Sequence, residues 1–573
     1  MSSVSSFRSI SLLYKIRVKA EDISPLLSKI FSWLISRFIL LGFSFILVSS
    51  IAYSRALNWD IDGDGSADAL TDGLLILRYG FGLRGESLIS GTLSTESIMN
   101  TSEIEERLFY TSSILDIDAN GQFDALTDGL LILRYLFGID GDALISESVA
   151  NNAQRNSTTE IIQYLQKYMP RGRLSEKRGI SYGIAGGQQE LSIQDLSTIG
   201  QRISWWYNWR TTSYEPTRQS YPELGIDFTP MAYNGDFNAA QMRSYLDDTS
   251  NVKYVLGFNE PNFENQANMT PYQAAVAWRK LEEIADEHDL KLIGPAVNHS
   301  SGEIDIPNTD DDWSAWEYLD AFFEECSDCR VDFIALHCYR KNEQNFKDFI
   351  SEAIKYGKPI WLTEWAGNAG GQGTTWPESP EDHMSYLAST VRWLESQEYI
   401  YRYSWFIGRN RQGHENFPYN GLLGDDGKTT PLGEIYFSIP RKGYLYPSDI
   451  EIPAVGATTI SGFSYTEISD QDRIVAVIAD SVDDNILSFD FDIESSNMYD
   501  LEVRLASPAN GSVAIIHDQS TLQVYENIDT ESFQDFETIV FQSISLIEGR
   551  NNLRLETNSS VSLSYVRLSK STI

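Results

Sequence analysis

The sequence predicts a multidomain protein of three parts: a small α-helical unit built on a duplicated loop, a (β/α)8 TIM barrel, and a C-terminal all-β sandwich. Three observations carry that prediction. A stretch opening DIDGDGSADALTDGLLILRY at Asp60 returns as DIDANGQFDALTDGLLILRY at Asp116, 56 residues on, and such self-similarity marks a repeated structural unit. Between Arg178 and Pro447, eight short apolar runs alternate with helical stretches, the pattern of a barrel of parallel strands. Beyond Ser448, aromatic and β-branched runs are broken by Asp, Ser, Asn and Gly turns, which is the pattern of antiparallel sheet.

The chain of 573 residues is long enough for these parts. Its 81 acidic against 44 basic residues leave a net charge of -37, which repels phosphate backbones and excludes nucleic acid as a partner. A neutral substrate meets no such penalty. Basic residues up to Arg37 precede an uncharged run, Phe38 to Ser54, followed by small residues around Arg55. Residues 1–56 therefore read as a signal peptide or, since the run approaches membrane-spanning length, an uncleaved N-terminal anchor. Either way the rest is expected outside the cell, secreted or tethered to the envelope. Of the three cysteines, Cys326 and Cys329 are spaced for a local bridge and Cys338 sits in an apolar run. No second CxxC completes a zinc site.

In the repeat, spanning residues 57–145, oxygen ligands alternate around a glycine before an apolar helix, as in loops that wrap Ca2+. The first copy offers Asp60, Asp62, Asp64, Asp68 and Asp72. The second offers Asp116, Asp118, Asn120, Asp124 and Asp128. The closing ligand departs from the EF-hand pattern: the twelfth position is Thr71 or Thr127, and the acid comes one residue late. The pair resembles the dockerin modules of secreted enzymes, and that resemblance implies structural calcium and a cohesin-like or intramolecular partner. Polar sequence follows, and residues 146–177 read as a linker.

In the barrel segment, residues 178–447, the eight runs are RGISYGIAG, ISWWYNW, DFTPMAY, KYVLGFNEP, KLIGPAV, VDFIALHCY, PIWLTEWA and RYSWFIG. TIM barrels place their chemistry at the C-terminal ends of the strands. There Glu260 closes VLGFNE and Glu364 closes WLTE. A carboxylate at the exit of an apolar strand is costly unless it is used. Two of them from different strands can supply the acid and the nucleophile of a glycosidic cleavage with retention, which needs the carboxyls about 5 Å apart.

The order of Asn-Glu-Pro on the fourth run and Thr-Glu-Trp on the seventh resembles the clan A glycoside hydrolases. WWYNW, GFNEPN, ALHCY and WLTEWA together resemble glycoside hydrolase family 128, over roughly Arg178 to Tyr446. The resemblance implies a retaining endo-β-1,3-glucanase acting as a monomer without a catalytic cofactor, with Glu260 as acid/base and Glu364 as nucleophile. It further implies that Asn259 bonds the sugar 2-hydroxyl, that His337 or Tyr339 lines the floor beside the nucleophile, and that Trp405 stacks under the cleaved sugar. Trp205, Trp206, Trp209, Tyr233, Trp361 and Trp365 are candidate sugar platforms, as flat apolar faces suit pyranose rings, while a Trp within a barrel strand is often core. His299 and His383 carry no assigned role. Other neutral β-glycans (mannan, xylan, galactan) remain alternative substrates because one catalytic machinery serves many backbones. A non-catalytic glycan-binding or cell-surface protein is the alternative outside the enzyme class.

The sandwich, residues 448–573, resembles family 6 carbohydrate-binding modules through YDLEVRLASPANGSVAII and SLSYVRLS. It lacks any Trp after Trp405, so a purely structural sandwich stands beside a sugar-binding one.

Overall fold

The computed structural model describes residues 58–573 except 64–66, 95–96, 98, 140, 169–172, 183–190, 219, 250–251, 300–302, 308–310, 368–378, 410–418, 472, 481–484 and 572–573. The N-terminal segment read as signal or anchor, and Asp64, lie outside the described residues. Among the described residues, no helix is long and apolar enough to cross a membrane.

Eight parallel strands form one sheet: β1 (Arg178–Ser181), β2 (Trp205–Tyr207), β3 (Asp227–Phe228), β4 (Tyr254–Leu256), β5 (Lys291–Val297), β6 (Phe333–Tyr339), β7 (Ile360–Ala366) and β8 (Ile400–Trp405). Each overlaps one of the eight apolar runs, with β8 starting two residues ahead of RYSWFIG. Their order is β3-β2-β1-β8-β7-β6-β5-β4, and a parallel bridge from Met231 to Leu256 joins the two ends. Strand parity then sorts the side chains. Trp205, Tyr207, Met231, Leu256, Phe333, Ala335 and Trp361 fill the interior, whereas Trp206, Ile334, Leu336, Leu362 and Trp365 pack outward against the helices.

The helices begin where the sequence supplies caps. Thr270 and Gln273 form a reciprocal capping box ahead of helix Pro271–Glu287, with Pro at its first turn; Ser314 and Glu317 do the same for Ala315–Glu325. Each such cap is worth about 1 kcal/mol. Cys326 and Cys329 are disulfide-bonded just beyond that second helix, and Cys338 is buried and free.

His383, on helix Pro380–Ser396, is fully buried and packs 5.1 Å from the Trp405 ring. Neither ring nitrogen has a protein hydrogen-bond partner, and burial holds its pKa down at about 3, against an ordinary value of 6.5. The unfolded chain takes up a proton that the folded one refuses, so stability must fall as pH drops through that window. By linkage this amounts to about 1.4 kcal/mol per pH unit. Between pH 7 and 4.5 the wild type is therefore expected to lose about 2 to 3 kcal/mol more than His383→Gln, measured by urea unfolding at both pH values.

The C-terminal strands make two packed sheets. In spatial order the first runs Phe463–Asp470, Arg473–Ala479, Ser562–Lys570, Asn497–Ala506, Glu537–Leu546; the second runs Thr459–Ser461, Asn485–Ile493, Gly549–Thr557, Gly511–His517, Ser520–Ile528. These pairings are antiparallel, as the alternating pattern requires. The apolar core is continuous from the barrel's helical layer into this sandwich. Arg392 fastens the two by donating to the Ala457 and Val455 carbonyls at 2.6 and 2.8 Å.

The duplicated unit has its own core, centred on Trp59, Leu75, Ile76, Leu131 and Ile132. Here the linker assigned to residues 146–177 needs correction. Helix Thr158–Lys167 lies within it, and Ile161 and Leu165, one helical turn apart, complete that core. The Trp59 backbone N–H donates to the Tyr168 carbonyl at 2.9 Å, and its indole N–H to Leu165 at 2.6 Å. The unit therefore extends to Tyr168.

Candidate active site

The barrel mouth is assembled from the ends of β2, β4, β5, β6 and β7. Glu260 follows β4, with φ at 41° and its N–H bonded to the Ala296 carbonyl at 2.9 Å. A non-glycine residue in that left-handed region is strained, and such strain concentrates at functional sites. Glu364 comes inward through a register fault. Leu336 pairs with Leu362, yet His337 pairs with Glu364, so Thr363 is an extra residue in β7. Strict alternation from the inward Trp361 would have turned Glu364 to the helices. The bulge reverses parity, aiming Glu364 into the barrel and Trp365 out of it.

The two carboxylates and the His337 imidazole each place a polar atom within 4.8 Å of the others, and all three side chains are buried. His337 Nδ1 stands 2.7 Å from Glu260 Oε1 and 3.3 Å from Glu364 Oε2. Glu364 accepts from Tyr207 Oη at 2.9 Å, Trp209 Nε1 at 2.6 Å and Tyr339 Oη at 2.6 Å. Glu260 accepts from Asn298 Nδ2 at 2.9 Å, also on Oε1.

Burial pushes the Glu364 carboxyl up; His337 pulls it down, the Glu260 charge raises it further, and the Tyr339 and Trp209 hydrogen bonds oppose, leaving it raised. The geometry sets the two carboxyls apart. Trp209 can only donate, and three donors crowd Glu364, which favours its ionised form. Both polar contacts of Glu260 fall on Oε1, which leaves Oε2 open toward the mouth. Burial works against a charged His337, but the two carboxylates outweigh it and raise its pKa. The arrangement is one of two buried carboxyls in unlike surroundings, Glu364 held by three donors and Glu260 by Asn298 and His337 through one oxygen.

Around this centre, Asn259 Nδ2 and Tyr233 Oη both donate to Gln266 Oε1, at 3.1 and 2.6 Å. The Asn259 Oδ1 is buried and has no partner, as an acceptor awaiting a hydroxyl would be. Trp209 and Tyr233 are half-buried at the mouth.

Three predicted sugar platforms are not platforms. Trp206 is fully buried and packs on Tyr221 and Phe228. Trp365 is turned outward by the bulge against Trp405, Phe346 and Tyr386. Trp405 has no exposed surface; its indole N–H donates to the Asn420 carbonyl at 2.8 Å. The next residue, Phe406, is the one half-exposed beside Trp209 and Tyr339. The sequence reading also missed Tyr207 and Asn298. Tyr207 shares the inward parity of Trp205, and Asn298 is the first polar residue beyond the apolar KLIGPAV, the same signal that marks Glu260.

In the duplicated unit, Asp60, Asp62 and Asp72 form one carboxylate cluster and Asp116, Asp118 and Asp128 a second, with ligating atoms within 4.8 Å in each. The late closing acid is explained by a wide helical turn: Gly73 N–H reaches back five residues to Asp68 at 3.0 Å, and Gly129 to Asp124 at 3.1 Å. That turn accommodates one more residue than an α-turn and carries Asp72 and Asp128 into the loop. Asp72 also accepts from the Ile61, Asp62 and Asp68 N–H groups, and burial pushes its carboxyl up to about 7. Asn120 ties its own loop, its N–H bonded to Asp116 and Asp118. Asp68 and Asp124 stand outside the clusters, exposed at the head of each turn.

Compared with known proteins, residues 179–436 match the family described as the glycosyl hydrolase catalytic core. The chain is similar to alkali-sensitive linkage protein 1 of Schizosaccharomyces pombe, 30% identical over 270 residues that cover 46% of this chain and 45% of that protein. It thus spans about half the length of that curated relative. It is also similar to two solved family 128 (subgroup II) endo-β-1,3-glucanases. That of Sorangium cellulosum is 34% identical, covering 46% of this chain and 99% of the other, with a TM-score of 0.39. That of Pseudomonas viridiflava is 31% identical, covering 46% and 98%, with a TM-score of 0.41. By sequence, residues 179–436 are therefore a glycosyl hydrolase catalytic core of the family 128 kind.

Proposed function

We propose that the chain is an exported, retaining endo-β-1,3-glucanase. The observation that carries this is the separation of the Glu260 and Glu364 oxygens, within 4.8 Å. That matches the separation of roughly 5 Å at which one carboxylate attacks the anomeric carbon directly, rather than the roughly 6.5 to 9.5 Å that leaves room for a water in an inverting enzyme. Glu364 attacks, the glycosidic C–O bond breaks, and Glu260 passes its proton to the leaving oxygen. Water then attacks the glycosyl ester, Glu260 takes its proton, and Glu364 is released as carboxylate. Asn259 Oδ1 accepts the sugar 2-hydroxyl, and Phe406 with Trp209 supplies the apolar wall. The named activity of the similar enzymes supports β-1,3-glucan as substrate. Product analysis on β-1,3-glucan, β-1,4-glucan, mannan and xylan tests it: oligosaccharides from the first alone support the assignment, and release from another glycan instead removes it.

The same reading assigns Ca2+ to the two carboxylate clusters. All-oxygen ligands suit that hard cation, and three carboxylates within 4.8 Å, all buried in the first cluster and two of three in the second, repel one another unless one is present. Excess EGTA is expected to lower the melting of the duplicated unit, by about 3 kcal/mol per site at calcium near 100 times Kd. Calorimetry with and without added calcium measures it. The sandwich we assign to bracing the barrel, through Arg392. Its one strongly exposed aromatic among the described residues, Tyr525, is committed edge-on to Phe541 and donates to the Val540 carbonyl. Export rests on the basic and then apolar sequence before Arg55.

A further inference from the structure

Asn298 lies just past the end of β5, is 6% exposed, and touches the catalytic pair only through Glu260. Its amide has one available orientation. Oδ1 accepts the His299 backbone N–H at 2.7 Å, so Nδ2 is the atom facing Glu260 Oε1 at 2.9 Å. Its backbone is clasped on both sides by Asn262, fully buried, whose Nδ2 donates to the Asn298 carbonyl at 2.9 Å and whose Oδ1 accepts the Asn298 N–H at 3.4 Å. Glu260 is tied to the same strand by its own N–H to Ala296. Backbone and side chain of Glu260 are thus both referred to the end of β5, two residues apart.

We infer that Asn298, braced by Asn262, is a positioning residue for Glu260. It holds Oε1 so that Oε2 meets the leaving oxygen, and it favours the carboxylate that forms when Glu260 gives up its proton. The inference rests on the acid/base role proposed above for Glu260. Asn298 Nδ2 can only donate, so it stabilises the ionised form, the product of the first step and the base of the second. A group that merely packed the barrel would have no preference between these protonation states.

The test separates proton transfer from folding by the choice of leaving group. Asn298→Leu keeps the volume but removes the donor, and Asn298→Ala removes both. With the full chain and laminari-oligosaccharides, whose leaving alcohol needs the proton, kcat/KM is expected to fall about 10- to 100-fold in both variants, the size of a lost hydrogen bond to a charged group. With dinitrophenyl β-laminaribioside it is expected to fall no more than about threefold, because a good leaving group needs no proton. Equal losses on the two substrates, or no loss on the natural one, would overturn the positioning role. Glu260→Ala is the reference. If it too loses both substrates equally, the acid/base assignment fails and the inference with it; if it spares the activated substrate while Asn298 variants do not, only the inference fails.

Discussion

Replacing Glu364 with Gln is expected to lower kcat on β-1,3-glucan by about 10^4 to 10^6, the range for losing the nucleophile of a site that works as a unit. The amide keeps the volume and can still meet Tyr207 and Tyr339, so the fold and sugar binding should survive. What vanishes is the negative charge that attacks the anomeric carbon. The decisive observation is rescue. In Glu364→Ala, azide enters the space the carboxylate vacated and attacks an activated β-glycoside from the same face, giving the α-glycosyl azide. Undiminished hydrolysis in the Gln variant, or a β-azide from the Ala variant, would move the nucleophile elsewhere.

Glu260→Ala is expected to behave as the complement. On β-1,3-glucan, kcat/KM should drop about 10^2- to 10^4-fold, the usual worth of a general acid. On a dinitrophenyl glycoside the first step should survive and the second stall, so a burst of phenolate precedes slow turnover. Azide then intercepts the glycosyl ester from the opposite face and yields the β-glycosyl azide. The pair of stereochemical outcomes assigns the two glutamates separately, which loss of activity alone cannot do.

That both glutamates come together at the barrel mouth was legible in the sequence, because a charge one residue beyond YVLGF or PIWL has few innocent explanations. The same rule marks Asn298 after KLIGPAV, and attention to charge alone passed over it. The tryptophans were less legible. Alternation in WWYNW already separates Trp206 from its inward neighbours Trp205 and Tyr207. Trp365, however, cannot be placed by counting, since the extra residue Thr363 inverts parity inside an unbroken apolar strand. Bulges leave little trace in composition. The same holds for the wide turn that brings Asp72 rather than Thr71 to its loop. Helix Thr158–Lys167 was readable from Ile161 and Leu165 at one-turn spacing, but its place on Trp59 is a long-range contact that periodicity does not report.

That contact leaves the repeat's entry at Trp59 and its exit at Tyr168 one hydrogen bond apart. A module whose ends meet behaves as a pendant on the main chain. Its ends would fit one surface loop of another protein without stretching the chain that receives it. A cut at residue 146 would have the opposite result: it strips the helix from Trp59 and leaves that apolar face in water.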